Sequence, residues 1–280
     1  MPLGTLIQFM LPRWVMVRVA RLVGALAYRL NRKGRDRFTE NCRHVLGRGT
    51  PEPEIRAAVR RLFFHYVLNI FDLLRIPVLR RRITALVEFD RRQADRIMAE
   101  GRGLIVVTAH VGNWDLAGVV LAANGFPLSA VVEPVPRGWE RTYNRYRQAT
   151  RMETIPIPDR RAIARALLQG RVLALVSDRD LTGNGMLCPA FDAYRYYPRG
   201  PAAYVLRQKT GLIIGGCVFQ HKRGRPPYAM DYRSVDFAPS GSIDADVAAL
   251  TLVIADAVNG MIRKYPNQWL VYNAAWQEMP

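Results

Sequence analysis

The stretch LIVVTAHVGNWDLAG, residues 104–118, decides how the chain folds. Leu104–Thr108 is a short apolar run of the kind that forms a strand buried on both faces. It ends in His110. Gly112 and Asn113 then break the pattern, and Trp114 opens a segment with helical apolar spacing. Asn113 is placed to cap that helix, because its short side chain can accept from a first-turn amide. A strand, a glycine turn and a capped helix form the opening unit of a parallel α/β sheet, and in such sheets sites lie beyond the carboxyl ends of the strands. His110 stands at such an end, with Asp115 five residues on.

Working outward, strands and helices alternate to the end of the chain. Strands are expected at 128–132, 154–157, 172–177, 212–219 and 228–237, with a last extended piece at 268–273. Helices are expected at 114–124, 138–150, 159–169, 201–209 and 243–264, and a long loop runs from 177 to about 198. Alternation of this kind predicts a mixed, mostly parallel sheet flanked by helices. Before residue 100 the pattern is helical, with helices at 34–46 and 52–75. The expected division is therefore a helical, basic region at 1–100 and an α/β domain at 101–280. Half of the 280 residues are hydrophobic, enough for one sizeable core and too many for a disordered chain.

The formal net charge is +18. Residues 1–100 carry 20 Lys and Arg against 9 Asp and Glu, so most of the excess is in the helical region. Such a surface suits a polyanion, either nucleic acid or an anionic membrane. Residues 3–30 favour the membrane. On a helical wheel Val15, Val19, Leu22, Leu26 and Leu30 share a face, with Met16 and Val23 beside it and Arg13, Arg18, Arg21 and Arg29 opposite. Trp14 is placed to sit at headgroup depth. An amphipathic helix docked on the protein's own core has the same pattern. No cleavable signal sequence and no uninterrupted apolar span of about 18–20 residues is evident. Three cysteines with wide spacing and four scattered histidines form neither a disulfide framework nor a metal-binding pattern.

His110 and Asp115 point to proton transfer. Five residues apart on one helix they would diverge, but with His110 on the turn and Asp115 in the helix's first turn they can meet. A carboxylate that accepts from one imidazole nitrogen leaves the other free to take a proton. No GxSxG occurs and no cysteine lies nearby, so a hydroxyl supplied by the substrate is the expected nucleophile.

With these residues in view, the sequence resembles the bacterial late acyltransferases of lipid A biosynthesis and their relatives, the phosphatidylinositol mannoside acyltransferases. The family shares HxGNW[ED], here HVGNWD at 110–115. YNRYR at 143–147, SDRD at 177–180, RGPAAYVLRQKTGLIIG at 199–215 and YPNQWL at 265–270 are similar to further family blocks. Asp115 stands where Glu is common in the lipid A enzymes, DRD leans toward the mannoside branch, and Asn267 replaces the usual acidic residue. The resemblance implies a glycerolipid-acyltransferase-like α/β fold. It also implies transfer of a fatty acyl chain from acyl-CoA or acyl-carrier protein to a hydroxyl of a membrane glycolipid or lysophospholipid. His110 would be the general base and Asp115 its orienting partner. Asn113, Arg145, Arg147, Asp178, Arg179 and Asp180 would bind substrate. No metal or other cofactor is expected, nor any nucleic acid. The protein would lie peripherally on the cytoplasmic face of the membrane, held through residues 1–30. A basic nucleic-acid-binding protein and an inactive membrane scaffold of the same fold are the alternatives.

Overall fold

The structure is a computed structural model that describes residues 12–79, 82–133, 152–220 and 224–278, together with 138, 140, 141, 150 and 222. Three helices come first: α1 (Arg13–Leu30), α2 (Arg32–Leu46) and α3 (Glu52–Leu79). The α/β part follows with β1 (Val87–Glu88), α4 (Arg92–Ala99), β2 (Leu104–Thr108), α5 (Trp114–Ala123), β3 (Leu128–Val132), β4 (Glu153–Pro156), α6 (Arg160–Leu168), β5 (Val172–Val176), β6 (Met186–Ala190), β7 (Ala193–Tyr197), α7 (Gly200–Gln208), β8 (Gly211–Phe219), β9 (Tyr228–Ser234) and α8 (Ile243–Lys264).

Among the described residues one sheet has the strand order β1-β9-β8-β2-β5-β3-β4, and β6 and β7 form a separate antiparallel hairpin. Strands β8, β2, β5, β3 and β4 run parallel, whereas β9 is antiparallel to β8. This is the mixed, mostly parallel sheet flanked by helices that the alternation predicts. The hairpin occupies part of the stretch expected to be a loop. It packs on the core through small or alternate residues, Cys188, Ala190 and Tyr197, and its two strands of five residues are interrupted by Pro189 and Arg195, so no long apolar run reveals it. The expected extended piece at 268–273 contributes only an isolated bridge between Trp269 and Val111. The expected helix at 138–150 lies largely outside the described residues.

Successive side chains of β2 point to opposite faces and fill two cores. Ile105 and Val107 pack with Val247, Leu250, Ile254 and Val258 of α8 and with Ile163 of α6. Leu104 packs with Leu116, Val119 and Val120 of α5, and with Leu73 and Ile76 of α3. A third cluster joins Phe38 and Cys42 of α2 to Ile55, Val59, Leu62 and Phe63 of α3, and it includes Leu270 from the chain's end. The first hundred residues therefore share cores with the sheet. Helix α8 is long and apolar enough to cross a membrane, but more than half of its apolar window is buried in the protein, as expected of a core helix.

Helix α1 lies along α3. It buries Met16, Ala20 and Gly24 there. A Cβ at Gly24 would stand 2.9 Å from the Phe64 Cα, so only glycine allows this approach. Arg13 makes a two-pronged ion pair with the buried Asp72 of α3 (2.5 and 3.1 Å), and the Asp72 carboxylate also accepts from the Tyr228 hydroxyl of β9 at 2.5 Å. Met16 and Arg13 thus face the protein, not a membrane. Trp14, Leu22, Val23, Leu26 and Leu30 remain exposed.

The HVGN turn, residues 110–113, is fixed from several sides. Gly112 has φ +65°, and a Cβ there would stand 2.1 Å from the Cys217 carbonyl oxygen. Glycine is required both for the left-handed backbone and for the close approach. The Gly112 amide donates to Gln268 O, the Asn113 amide to Cys217 O, and the Asn69 side chain of α3 donates to Gly112 O.

Candidate active site

Parallel pairing between β2 and β5 sets Thr108 opposite Val176. Two residues beyond each strand end, His110 and Asp178 come side by side. His110 Nδ1 lies 2.7 Å from Asp178 Oδ1, and the His110 main-chain amide donates to Asp178 Oδ2 at 3.0 Å. The Trp269 indole donates to the same Oδ2 at 2.8 Å. The Arg195 guanidinium donates to the main-chain carbonyl of Asp178. Asp178 is fully buried. Burial alone would push its carboxyl up, but the adjacent His110, Arg195 and Trp269 outweigh burial and hold it well below the usual carboxylate range. A carboxylate bound to Nδ1 fixes the proton on that nitrogen and leaves Nε2 as the basic one. The carboxylate at Nδ1 is thus Asp178, where the sequence reading expects Asp115. Sheet register brings Asp178 to Nδ1, whereas Asp115 enters from the helix.

His110 keeps its ring 16% exposed, at a cavity of about 350 Å³. The cavity follows β2 between the sheet and α5. Val106, Ala130, Ala174 and Val176 form its sheet wall; Ala117, Gly118 and Leu121 form the helix wall. The small pair Ala117–Gly118 leaves room where larger residues would close the space. Leu104, Ala94 and Ile213 continue the lining toward the amino end of β2. From His110 to Leu104 is six residues, or about 20 Å at strand rise. The cavity is thus a long apolar slot with an imidazole at one end.

Asp115 lines the same slot, beside His110. Burial pushes its carboxyl up to about 6, partly offset by the nearby imidazole. Asn113 accepts from the Leu116 amide at 2.9 Å, the cap that the sequence predicts, and it is buried away from the cavity. Arg179 pairs with Glu133, which also lines the cavity. Asp180 accepts from the Thr182 amide and hydroxyl (2.9 and 2.8 Å) and from the Gly185 amide (2.7 Å), so it holds its own loop rather than reaching the slot. Arg145 and Arg147 lie outside the described residues.

Among the described residues lining the slot there is no serine or cysteine. Ser129 is buried in a network with Glu153 and Arg171. Burial pushes the Cys42 thiol up to about 12 and the Cys188 thiol up to about 11, and raises that of Cys217 as well. Glu133, Arg195 and Trp269 are absent from the sequence-derived site. Trp269 carried a signal, its place in YPNQWL, but the contact it makes depends on tertiary structure.

The resemblance pairs His110 with Asp115; in the structure Asp178 stands at Nδ1 and Asp115 lines the slot in front of the ring. The sequence matches the family described as bacterial lipid A biosynthesis acyltransferase over residues 3–278. The chain belongs to this family. It is also similar to proteins named phosphatidylinositol mannoside acyltransferase. One, from Mycolicibacterium smegmatis, is 30% identical over 182 residues, which is 63% of this chain and 57% of that protein. Another, from Mycobacterium tuberculosis, is 27% identical over 262 residues, covering 87% of this chain and 77% of that protein. The chain thus spans little more than half of the first relative's length and about three quarters of the second's.

Proposed function

We propose that this protein transfers a fatty acyl chain from an acyl thioester to a hydroxyl of a membrane glycolipid, with His110 as general base and Asp178 as its orienting carboxylate. One observation carries the reading: the His110–Asp178 pair stands at the end of an apolar slot that runs along β2. An acyl chain seated in the slot brings its thioester carbonyl to the imidazole. Nε2 takes the proton of the acceptor hydroxyl as its oxygen attacks the carbonyl carbon. Asp178 stabilises the imidazolium that forms. The tetrahedral intermediate then collapses, the C–S bond breaks, and the imidazolium returns the proton to the departing thiolate. At the turn, the amides of Gly112 and Asn113 are engaged by carbonyls and that of Leu116 by the Asn113 side chain. We assign the developing oxyanion to the amino end of α5, whose first residue, Trp114, meets the His110 ring edge to face.

The acceptor is a glycolipid of the phosphatidylinositol mannoside kind. The names of the similar mycobacterial proteins and the DRD sequence support this choice over a lipid A precursor. The exposed apolar face of α1, flanked by the exposed Arg18, Arg21 and Arg29, supports peripheral attachment to an anionic membrane. The cytoplasmic face is the side that acyl-CoA and acyl-carrier protein reach.

The test is transfer from labelled acyl-CoA or acyl-carrier protein to a phosphatidylinositol mannoside, a lipid A precursor or a lysophospholipid. Acyl gain by the mannoside, abolished by His110→Ala, is expected. Transfer only to another acceptor would reject the acceptor assignment, and transfer to none of them would reject the reaction.

A further inference from the structure

We propose that Arg195 and Trp269 are positioning residues of the transfer reaction, which clamp Asp178 so that one carboxylate oxygen serves the His110 imidazole. The inference rests on the reading of His110 as the base.

Arg195 sits in the β6–β7 hairpin, outside the main sheet, and is 1% exposed. Its Nε donates to Ala274 O at 2.9 Å, Nη1 to the Tyr197 hydroxyl at 3.5 Å, and Nη2 to the Asp178 carbonyl. The guanidinium carbon stands 4.9 Å from the Trp269 ring centroid, 5.1 Å from that of Trp276 and 5.5 Å from that of Tyr197. Among the described residues no carboxylate forms an ion pair with it. A buried cation is costly unless an opposite charge is near. Asp178 supplies that charge through space, and Arg195 in turn favours the ionised form of Asp178. An apolar side chain would fill this place at lower cost if packing were the only need.

Trp269 divides the work of the carboxylate. Its indole and the His110 amide both donate to Oδ2, which leaves Oδ1 to face Nδ1. The carboxylate plane is thereby fixed by two donors on one oxygen. Arg195 holds the same residue by its main chain, so Asp178 can neither swing nor slide. The other groups facing this pair among the described residues are Asp115 from α5, Tyr197 from β7, Glu133 at the cavity, and Arg179 and Asp180 next in the chain.

The sign of the electrostatic effect is fixed. A positive charge behind the carboxylate disfavours a second positive charge on the ring in front of it. Removing the charge must move the acid limb of kcat/KM to higher pH. At the effective dielectric of protein sites the displacement is about half a unit to one unit.

The experiment compares Arg195→Met, Arg195→Lys and Trp269→Phe in the full chain, after thermal unfolding confirms a folded protein. Each variant is read by the pH profile of kcat/KM and by NMR titration of histidine-labelled protein, with His110→Gln assigning the resonance. Expected for Arg195→Met is an upward displacement of both the acid limb and the His110 titration, largely restored in Arg195→Lys. Expected for Trp269→Phe is a kcat about tenfold or more lower at unchanged KM, with the His110 titration also moved up because Asp178 loses a donor. The titration is independent of acyl transfer, so a wrong substrate leaves the clamp testable. If Arg195→Met does not fold, Trp269→Phe decides. Unmoved titrations with only a uniform loss of activity, or wild-type kcat in Trp269→Phe, would overturn the proposal.

Discussion

The two sides of His110 are built in opposite ways. Behind the imidazole Asp178 is fully buried, yet it holds three hydrogen bonds through its carboxylate and lies near a guanidinium, so it stays ionised. In front, Asp115 shares an apolar slot with Val106, Ala117 and Leu121, and its carboxyl is pushed up to about 6. Both are aspartates beside the same ring. Burial disfavours the charge of each, and hydrogen bonds with nearby positive charge reverse the outcome at Asp178. Position in a motif therefore does not fix which carboxylate meets the ring nitrogen: the one at Nδ1 lies 68 residues from His110, and the one within the motif lines the slot.

Three substitutions separate the two sides, in decreasing order of expected effect. His110→Ala removes the base and should lower kcat by about 10²–10⁴-fold in a folded protein. Asp178→Asn should follow, with a loss of about 10²-fold or more, because the amide orients the ring without stabilising the imidazolium. Steady-state turnover checks both. A turnover for Asp178→Asn above that of Asp115→Asn would invert the comparison.

Asp115→Asn should cost less turnover, about tenfold, and it should raise stability at neutral pH. Its folded pKa of about 6 lies above the ordinary 3.8, so the native state holds a proton that the unfolded state releases between those values. Stability then falls as pH rises through that window. The asparagine variant escapes this loss, so urea unfolding at pH 7 should show it more stable than wild type, with the difference gone near pH 3. Asp178 has the opposite sign. Its depressed pKa contributes stability above the ordinary carboxylate value, lost as pH falls below it.

The smallest effect on the chemistry belongs to α1. Leu22→Glu with Leu26→Glu should weaken binding to anionic vesicles in a flotation assay while leaving turnover on a detergent-dispersed acceptor within about twofold, because both side chains are exposed. Deleting the helix is a poorer test. It removes the Arg13 partner of buried Asp72 and uncovers α3, so it should destabilise the fold.

Much of this was legible in the sequence where the signal is local. The LIVVT strand, the glycine turn, the Asn113 cap and the helix after it follow from five or six neighbouring residues each. The exposed stripe on α1 was visible on the wheel, although Met16 and Arg13 turn inward because α3 needs a cover. What was not legible depends on sheet order. Asp178 reaches His110 only because β5 pairs with β2 in a register that aligns their ends. Arg195 looked like one more charge in a basic chain, and the hairpin that carries it has no long apolar run to announce it. Glu133 ends a strand much as His110 follows one, but nothing in the one-dimensional pattern distinguishes it from a solvated carboxylate.

The most direct measurement is a double-mutant cycle on turnover with His110→Ala, Asp178→Asn and the two combined, each assayed for acyl transfer from a labelled thioester. If Asp178 acts through the imidazole, the double variant loses no more than His110→Ala alone. Losses that multiply would show that Asp178 contributes independently and that the pair is not a catalytic unit.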